Sequence, residues 1–400
     1  MGTLHSLGLR ASFVVALLAS SAAADYLVLS RSATVRSDHS SSSTIYCSVA
    51  EGDILRLAAE DLTDRWYMVH RPDAVGTGWV YQTMGRRYDG DPPGTGGGPS
   101  GPGAGETITI CSFNIKFLGT YSQKQNEALA GLLAPFDMVV VQELTGAPGP
   151  GVFPDGTPYV VNDNAQAFAD AMATHGFQYA LSPEDTGPGT VLHGGNSQTE
   201  WFITFYKSTV LEVAADLPNT FLAADRSQHP TYRRVPYAAS FRTVDGNLDF
   251  TLINVHLYPG SSKKPERRAE LEAAADWVAA HAGAETDVFI LGDMNIENEA
   301  ELSAALPDGW ESLNDQCAKT NTASTAKPYD QVLCRADALD VVDVAYDFQV
   351  LDLIDSMRGQ WPGTTSSYPG DPYDWNEFPP YYSDHHPVLW RLTVGAEDDD

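Results

Sequence analysis

The sequence predicts a large α/β domain preceded by a small all-β unit. Between residues 107 and 395, apolar strand-like segments alternate with helical patterns, as they do in α/β domains. Residues 25–88 instead contain short strand-like segments separated by turn residues, which indicates a small β-barrel. Residues 89–106 consist mostly of glycine, proline and serine, so they are typical of a flexible linker between two folded parts.

The two ends of the chain are not expected to belong to a folded core. Arg10, the apolar run 11–19 and the small residues 22–24 form the pattern of a signal peptide over residues 1–24. We therefore expect a secreted or periplasmic protein, and the later sequence shows no transmembrane segment. Residues 396–400 are typical of a solvated acidic tail. The formal net charge of −29 disfavours tight nonspecific binding to nucleic acid, because such binding needs many basic contacts.

The order of short motifs in residues 25–88 resembles bacterial Src-homology-3-like domains. The matching residues are Val35-Arg36-Ser37, Gly52-Asp53, Trp66-Tyr67 and Gly78-Trp79-Val80. The resemblance implies a targeting module with a cell-wall or peptide ligand. An equally good explanation is that Trp66 and Trp79 only fill the core of the barrel, since no motif here identifies a ligand.

Strand and helix patterns follow one another in residues 107–395. The segments "TITICSFNI", "DMVVVQEL", "DFTLINVHL" and "DVFILGD" are strand-like, and "QNEALAGLLAPF" lies between the first two. A long helix is predicted over "PERRAELEAAADWVAAHAG", because Pro265 favours the first turn and Gly283 favours the end. Leu271, Ala274, Ala275 and Val278 fall on one face of this helix. Strands this apolar are typical of buried sheets.

Polar side chains stand where these apolar runs begin or end: Asn114, Glu143, Asn254, His256, Asp293, Asn295, Asp330, Asp384 and His385. Each alone has a plain structural explanation, because Asn and Asp are common at strand ends. Together they indicate a site, since sites in α/β sheets collect at strand ends. Carboxylate and amide oxygens suit magnesium, calcium or manganese ions, and two histidines can exchange protons near neutral pH. This chemistry fits the attack of water on a phosphodiester.

Eight motifs, in their order and spacing, resemble those of the endonuclease/exonuclease/phosphatase superfamily. They are "SFNIKFLG", "VVVQEL", "EWFITFYK", "RRVPYAASF", "INVHLYPG", "LGDMNI", "PYDQVL" and "SDHHPV". Within the superfamily, "FNIKFLG", "VPYAASF" and "PYDQVL" are most similar to the deoxyribonuclease I-like members. The resemblance spans about residues 107–395. It implies a four-layer sandwich of two mixed β-sheets flanked by helices, with the site at one edge.

The resemblance also implies a role for each carboxylate and amide. Glu143 would bind the main metal ion, and Asn114 and Asp384 would lie beside it. Asp293 and Asn295 would hold the phosphate, the attacking water or a second cation. Magnesium is the expected ion, with manganese or calcium as alternatives.

Two histidines are expected to move protons. His256 would be oriented by Glu200, and His385 would be oriented by Asp330. The residues assigned to the substrate are Arg234, Asn254, Lys263 and Lys264. For Arg234, a surface salt bridge is an equally good interpretation. For the two lysines, a solvated helix start is the alternative interpretation.

The sequence therefore predicts a divalent-cation-dependent phosphodiesterase, a deoxyribonuclease I-like endonuclease that acts on DNA as a monomer. Two alternatives stay open: a phosphoesterase acting on a small or lipid substrate, such as a sphingomyelinase or a sugar-phosphate phosphatase, and an inactive surface-binding protein. Thr145 and Gln198 favour the first alternative. The resemblance implies that DNA-cleaving relatives have an arginine and a tyrosine at these two positions, and that both side chains enter the DNA minor groove.

One disulfide is predicted as well. Cys317 and Cys334 flank a polar loop, and they are the best-placed pair in a protein expected to be exported. Cys111 lies within an apolar strand pattern, where a buried thiol is expected.

Overall fold

The computed structural model describes residues 26–29, 31–50, 53–58, 62–71, 77–88, 102, 105–186, 199–223, 231–281, 283, 285–346, 348–362 and 377–395. The predicted signal peptide, the acidic tail, Gln198 and most of the predicted linker lie outside the described residues. The chain divides into two units, one comprising residues 1–71 and 76–98 and the other residues 72–75 and 99–400. Export and the ligand of the first unit stay predictions.

The described part of the first unit is built from short β-strands, as its sequence predicts. They are β1 (Tyr26–Leu29), β2 (Ala33–Arg36), β3 (Ile45–Val49), β4 (Ile54–Arg56), β5 (Trp66–His70), β6 (Thr77–Tyr81) and β7 (Gly85–Tyr88). One sheet has the order β4-β1-β7 and the other has the order β3-β2-β6-β5. Leu27, Val35, Val69 and Val80 are fully buried in its core.

The second unit contains the predicted alternation of strands and helices. Its strands are β8 (Thr107–Leu118), β9 (Met138–Leu144), β10 (Gly151–Val152), β11 (Pro158–Tyr159), β12 (Phe177–Leu181), β13 (Trp201–Lys207), β14 (Leu211–Val213), β15 (Thr220–Phe221), β16 (Tyr237–Thr243), β17 (Asp249–His256), β18 (Val288–Asp293), β19 (Trp310–Ser312), β20 (Asp330–Arg335), β21 (Gln349–Val350) and β22 (Val388–Thr393). Its helices are α1 (Asn126–Leu133), α2 (Asp163–Ala173), α3 (Lys264–His281), α4 (Glu299–Ala305), α5 (Leu353–Ser356) and α6 (Phe378–Tyr381).

Two mixed sheets form the centre of the second unit. In the described residues, one sheet has the order β12-β13-β9-β8-β22-β21, and the other has the order β14-β16-β17-β18-β20-β19 with β15 paired to β16. The pairs β8/β9 and β17/β18 are parallel, and the other strand pairs of these two sheets are antiparallel in the described residues. The small pair β10/β11 is separate from both sheets.

Three apolar clusters show how these sheets are layered. The cluster between the sheets takes residues from both, for example Ile110 and Val140 from one and Phe250 and Leu291 from the other. A second cluster joins the first sheet to α1 and α2, and a third joins the other sheet to α3 and α4. The order helix, sheet, sheet, helix confirms the predicted four-layer sandwich.

The long helix α3 begins and ends where its sequence predicts. It starts at Lys264, next to Pro265, and ends at His281, two residues before Gly283 with its φ of +70°. Its apolar face buries Leu271 and Val278 against the second sheet. Among the residues that the structure describes, no helix combines the length and the apolarity needed to cross a bilayer.

The predicted disulfide between Cys317 and Cys334 is wrong. All four cysteines are described, and none of them forms a disulfide. Cys334 lies in β20 and packs into the cluster between the sheets, whereas Cys317 packs against the cluster on the helix side of the same sheet. The two side chains are therefore on opposite faces of the sheet, where a bridge cannot form.

Candidate active site

The polar strand-end residues lie at one end of the space between the two central sheets. Successive side chains of a strand point to opposite faces. In β17, Phe250 and Leu252 face the other sheet, so Asn254 and His256 follow on the same face. The same alternation places these further residues between the sheets: Ser112 and Asn114 of β8, Gln142 of β9, Asp293 of β18 and Asp330 of β20.

Strand register brings three of these residues side by side. His256 is paired with Asp293 across the parallel strands β17 and β18, and Asp293 is paired with Asp330 across β18 and β20. Gly292 allows this approach, because a Cβ at its position would lie 2.1 Å from the carbonyl oxygen of Val255. Its φ of +134° also favours glycine.

Two site residues near the ends of β9 and β18 have a left-handed backbone. The φ angles are +64° for Glu143 and +53° for Asn295, a conformation that costs a residue with a Cβ about 1–3 kcal/mol. Because Gln142 faces the other sheet, regular alternation would direct Glu143 towards the helices. The left-handed turn instead brings Glu143 to Asn114, whose Nδ2 donates to Glu143 Oε1 over 3.0 Å.

His256 lies between two carboxylates. Its Nδ1 is 3.1 Å from Glu200 Oε1, which is the predicted contact, and its Nε2 is 3.5 Å from Asp293 Oδ2. Glu200 is buried and also accepts a hydrogen bond from the backbone N–H of Glu143 over 3.1 Å. Burial and Arg234 lower the pKa of His256, but Glu200 and Asp293 outweigh them and raise this pKa above its ordinary value.

His385 is arranged in the same way on the opposite side of Asp293. Its Nδ1 is 2.7 Å from Asp330 Oδ2, again the predicted contact, and its Nε2 is 3.6 Å from Asp293 Oδ2. Burial lowers the pKa of His385, but Asp330 and Asp293 outweigh burial and raise this pKa to about 10. Both imidazoles therefore direct Nε2 towards one carboxylate oxygen, Asp293 Oδ2.

Two overlapping groups of side chains have the spacing of a cation site. The ligand atoms of Glu143, His256 and Asp293 lie within 4.8 Å of one another, and so do those of Asp293, Asp330 and His385. The carboxylate oxygens of these groups suit magnesium or manganese, and neither group contains a thiolate of the kind that structural zinc sites use.

Buried carboxylate oxygens also fit a divalent cation here. In the described part of the chain, Oδ1 of Asp330 and Oδ1 of Asp384 are buried and have no hydrogen-bond partner. A buried charged oxygen without a partner is costly, and a hard cation with oxygen ligands would offset that cost. The side chains present therefore fit the ion that the sequence predicts.

The three predicted metal ligands are placed differently from one another. Glu143 belongs to one of the two groups. Asn114 lies beside it, and its Nδ2 also donates to Asp293 Oδ2 over 3.0 Å, so the amide separates two like charges. Asp384 is outside both groups, and its Oδ2 is 2.8 Å from Lys116 Nζ.

Two residues predicted to bind substrate lie behind the site. Arg234 is 5% exposed, and its guanidinium contacts Glu200 Oε1 at 3.3 Å and the carbonyl oxygen of His256 at 3.4 Å. Asn254 is 3% exposed, accepts from Gln142 Nε2 over 2.8 Å and donates to a backbone carbonyl of β9 over 3.1 Å. Arg234 therefore supports His256 and Asn254 joins the two sheets, while their contacts with a substrate stay predictions.

The predicted basic patch at the start of α3 is paired with acidic side chains. Lys263 Nζ is 2.6 Å from Glu266 Oε1, and Lys264 Nζ is 3.2 Å from Glu301 Oε2. These contacts favour the solvated helix start over a patch that binds phosphate. Asn295 stays beside Asp293, because its backbone N–H donates to Asp293 Oδ1 over 2.9 Å.

Three residues of the site were not identified from the sequence. Gln142 bonds to Asn254 across the sheets, and the signal for it was a polar residue within the apolar run "VVVQEL". Ser383 Oγ donates to the backbone carbonyl of Asn114 over 2.5 Å, and Lys116 pairs with Asp384. No local pattern indicates these last two contacts, because each joins segments far apart in the chain.

A deoxyribonuclease from Thioalkalivibrio sp. (strain K90mix) is 25% identical over 290 residues, which cover 70% of this chain and 70% of that protein. No protein-family model matches the chain.

Similar solved structures include D. rerio TDP2 complexed with a single strand DNA product, with 15% identity and a TM-score of 0.43 over 72% of this chain and 99% of that chain. Another is an endonuclease/exonuclease/phosphatase family protein from Bacteroides thetaiotaomicron, with 14% identity and a TM-score of 0.46 over 72% of this chain and 98% of that chain. The human Nocturnin catalytic domain with bound sulfate anion is 14% identical, with a TM-score of 0.43 over 72% and 93% of the two chains.

Proposed function

We propose that the chain is a divalent-cation-dependent phosphodiesterase and that its substrate is DNA. The observation that supports this most strongly is the convergence of two imidazoles on one carboxylate. The Nε2 atoms of His256 and His385 lie 3.5 and 3.6 Å from Asp293 Oδ2, and each imidazole is held from behind by its own carboxylate. Two such pairs on either side of one point can act on opposite sides of a phosphorus atom.

The proton transfers are assigned to the two histidines. One imidazole in its neutral form accepts a proton from the attacking water, and the other, as an imidazolium, donates a proton to the leaving oxygen. Glu200 and Asp330 fix the ring orientations by accepting from Nδ1, which leaves Nε2 facing the reaction. The raised pKa of His385, about 10, favours the protonated ring that a leaving group needs.

Glu143, Asp293 and the neighbouring donors would hold the cation. When bound, a divalent cation neutralises charge on the phosphate and polarises it towards attack. Asn114 keeps the carboxylates of Glu143 and Asp293 in place by donating to both from Nδ2. Magnesium or manganese is the proposed ion, since both prefer oxygen ligands.

DNA is proposed as the substrate because of the similarity to a deoxyribonuclease. One observation favours a second candidate, a small or lipid phosphoester. The hydroxyl of Thr145 donates to the backbone carbonyl of Leu118 over 2.9 Å, so this short, half-buried side chain is held against the protein, and no arginine stands there to enter a groove. The net charge of −29 also opposes binding to a polyanion.

A substrate panel with and without magnesium tests the proposal. Plasmid DNA, RNA, sphingomyelin and a simple phosphomonoester should be incubated with the full chain in magnesium and in excess chelator. The proposal expects nicking of plasmid DNA in magnesium and none in chelator. Hydrolysis of sphingomyelin alone would instead establish the second candidate. If none of the substrates is hydrolysed, the proposal that the chain is an enzyme is refuted.

Histidine variants with matched controls test the proton transfers. His256→Ala and His385→Ala should each lower the rate by about a hundredfold or more on every diester that the protein cleaves. His281→Ala and His386→Ala are the controls: His281 is exposed at the end of α3, and His386 accepts a hydrogen bond from Leu353. Equal losses in variants and controls would show a general folding effect.

A further inference from the structure

One buried lysine joins two segments of the candidate site. Lys124 is 6% exposed, and its Nζ donates to the carbonyl oxygens of Ile115 over 2.7 Å and of Tyr382 over 2.6 Å. Ile115 directly follows Asn114, and Tyr382 stands two residues before Asp384. We propose that Lys124 is a positioning residue, whose ammonium group holds these two segments in the arrangement that binds the divalent cation.

The backbone after Asn114 explains why such a support is needed. Lys116 and Phe117 have φ angles of +55° and +48°, and the pairing of β8 with β9 is interrupted between Asn114 and Leu118. Carbonyl groups in an interrupted strand lose their ladder partners and need another donor when they are buried. Lys124 supplies that donor to Ile115.

Further hydrogen bonds show that the two segments are held together along their length. Ser383 Oγ donates to the carbonyl oxygen of Asn114 over 2.5 Å and accepts from the backbone N–H of His385 over 3.0 Å. The backbone N–H of Gln125, next to Lys124, donates to the carbonyl oxygen of Tyr381 over 2.9 Å. Lys124 is the charged member of this set, and it bonds to both segments at once.

The charge of Lys124 is costly, which favours a functional reason for its presence. Burial lowers the pKa of Lys124 to about 7, while the carboxylates of Asp384 and Glu143 act in the opposite direction and Lys116 adds to the lowering. A buried cation costs folding free energy unless it is well paired, and neutral side chains often replace such charges with a gain in stability. A costly buried charge at this position fits a role in the geometry of the carboxylate site.

Manganese binding by the full chain, measured by isothermal titration calorimetry, tests this role without relying on activity. Lys124→Met should lower the affinity for manganese by about tenfold or more, because loss of a group that supports metal ligands typically has an effect of this size. Its melting temperature at pH 6 should change little, because removal of a buried charge offsets the loss of a donor to the carbonyl oxygens of Ile115 and Tyr382. The control is Lys319→Met, which removes the same charge from an exposed position and should leave the affinity unchanged.

A second variant covers the case in which methionine prevents folding. Lys124→Gln keeps a donor group without the charge, and it should weaken manganese binding in the same direction. Wild-type affinity in either folded variant would overturn the proposal, and so would a loss of stability with no change in affinity. The inference rests on the proposed cation dependence, but different results would refute the two. If the wild-type protein binds no manganese, the proposed function is refuted. If the wild type binds manganese and the folded Lys124 variants bind it equally well, only the role of Lys124 is refuted.

Discussion

The surroundings of Glu270 predict how the free energy of unfolding depends on pH. This residue of α3 is fully buried and accepts hydrogen bonds from the backbone N–H groups of Arg233, over 2.7 Å, and Tyr258, over 2.9 Å. It thereby fixes the two segments that carry Arg234 and His256. Burial raises the pKa of Glu270 from 4.5 to about 7, against the opposing effects of these two N–H groups.

The sign of the pH dependence follows from that direction. Because the folded pKa of Glu270 is above the unfolded value, its contribution to stability is fully present below pH 4.5 and is lost as the pH rises through about 7. At about 1.4 kcal/mol for each pKa unit, the loss amounts to about 3 kcal/mol. Glu270→Gln cannot ionise, so it should lack this loss. It should instead show a constant cost of about 1–3 kcal/mol, because an amide has one acceptor for two N–H groups.

Urea unfolding of the wild type and Glu270→Gln between pH 4.5 and 8.5 measures the effect. The variant should be less stable at pH 4.5, and the difference in unfolding free energy should move in its favour by about 3 kcal/mol by pH 8.5. Glu272→Gln is the control, since Glu272 is exposed on the same helix and should give a constant difference. A constant difference for Glu270→Gln as well would refute the reasoning. It would mean that the two N–H groups lower the pKa of Glu270 as much as burial raises it.

Three further predictions concern the site and its surroundings. Asp330→Asn should bring the pKa of His385 well below 10, measured by NMR titration of the ring; an unchanged titration would mean that Asp293 alone sets it. Deletion of residues 1–103 should leave turnover of a soluble diester unchanged, and loss of turnover in a folded protein would assign the first unit to the site. Thr145→Arg with Gln198→Tyr should raise nicking of duplex DNA while hydrolysis of bis-nitrophenyl phosphate stays constant; equal changes on both substrates would show that these positions do not face DNA.

The strand-end residues could be predicted from the sequence because their pattern is local. Because side chains alternate along β17, His256 lies on the same face as Phe250 and Leu252, which is the face towards the other sheet. The end of the apolar run shows where the strand ends. The bounds of α3 were predictable for the same reason, since Pro265 and Gly283 act within a single turn.

What could not be predicted depends on partners far away in the chain. The contact of Lys124 with Tyr382 joins positions 258 residues apart, and nothing in the neighbouring sequence indicates it. The hydrogen bond between Asn254 and Gln142 joins the two sheets, and no pattern near either residue in the sequence indicates it. The two cysteines looked well placed for a disulfide because sequence distance does not show which face of a sheet a side chain occupies.

The central claim is that Glu143 and its neighbours hold a divalent cation that the hydrolysis of DNA requires. The most direct measurement is the rate of plasmid nicking as a function of magnesium concentration for the wild type and Glu143→Gln, with the exposed Glu311→Gln as the control. The wild type and the control should nick DNA in magnesium and stop in chelator, and Glu143→Gln should be slower by about a hundredfold or more. Full nicking by Glu143→Gln, or by the wild type in excess chelator, would contradict the claim.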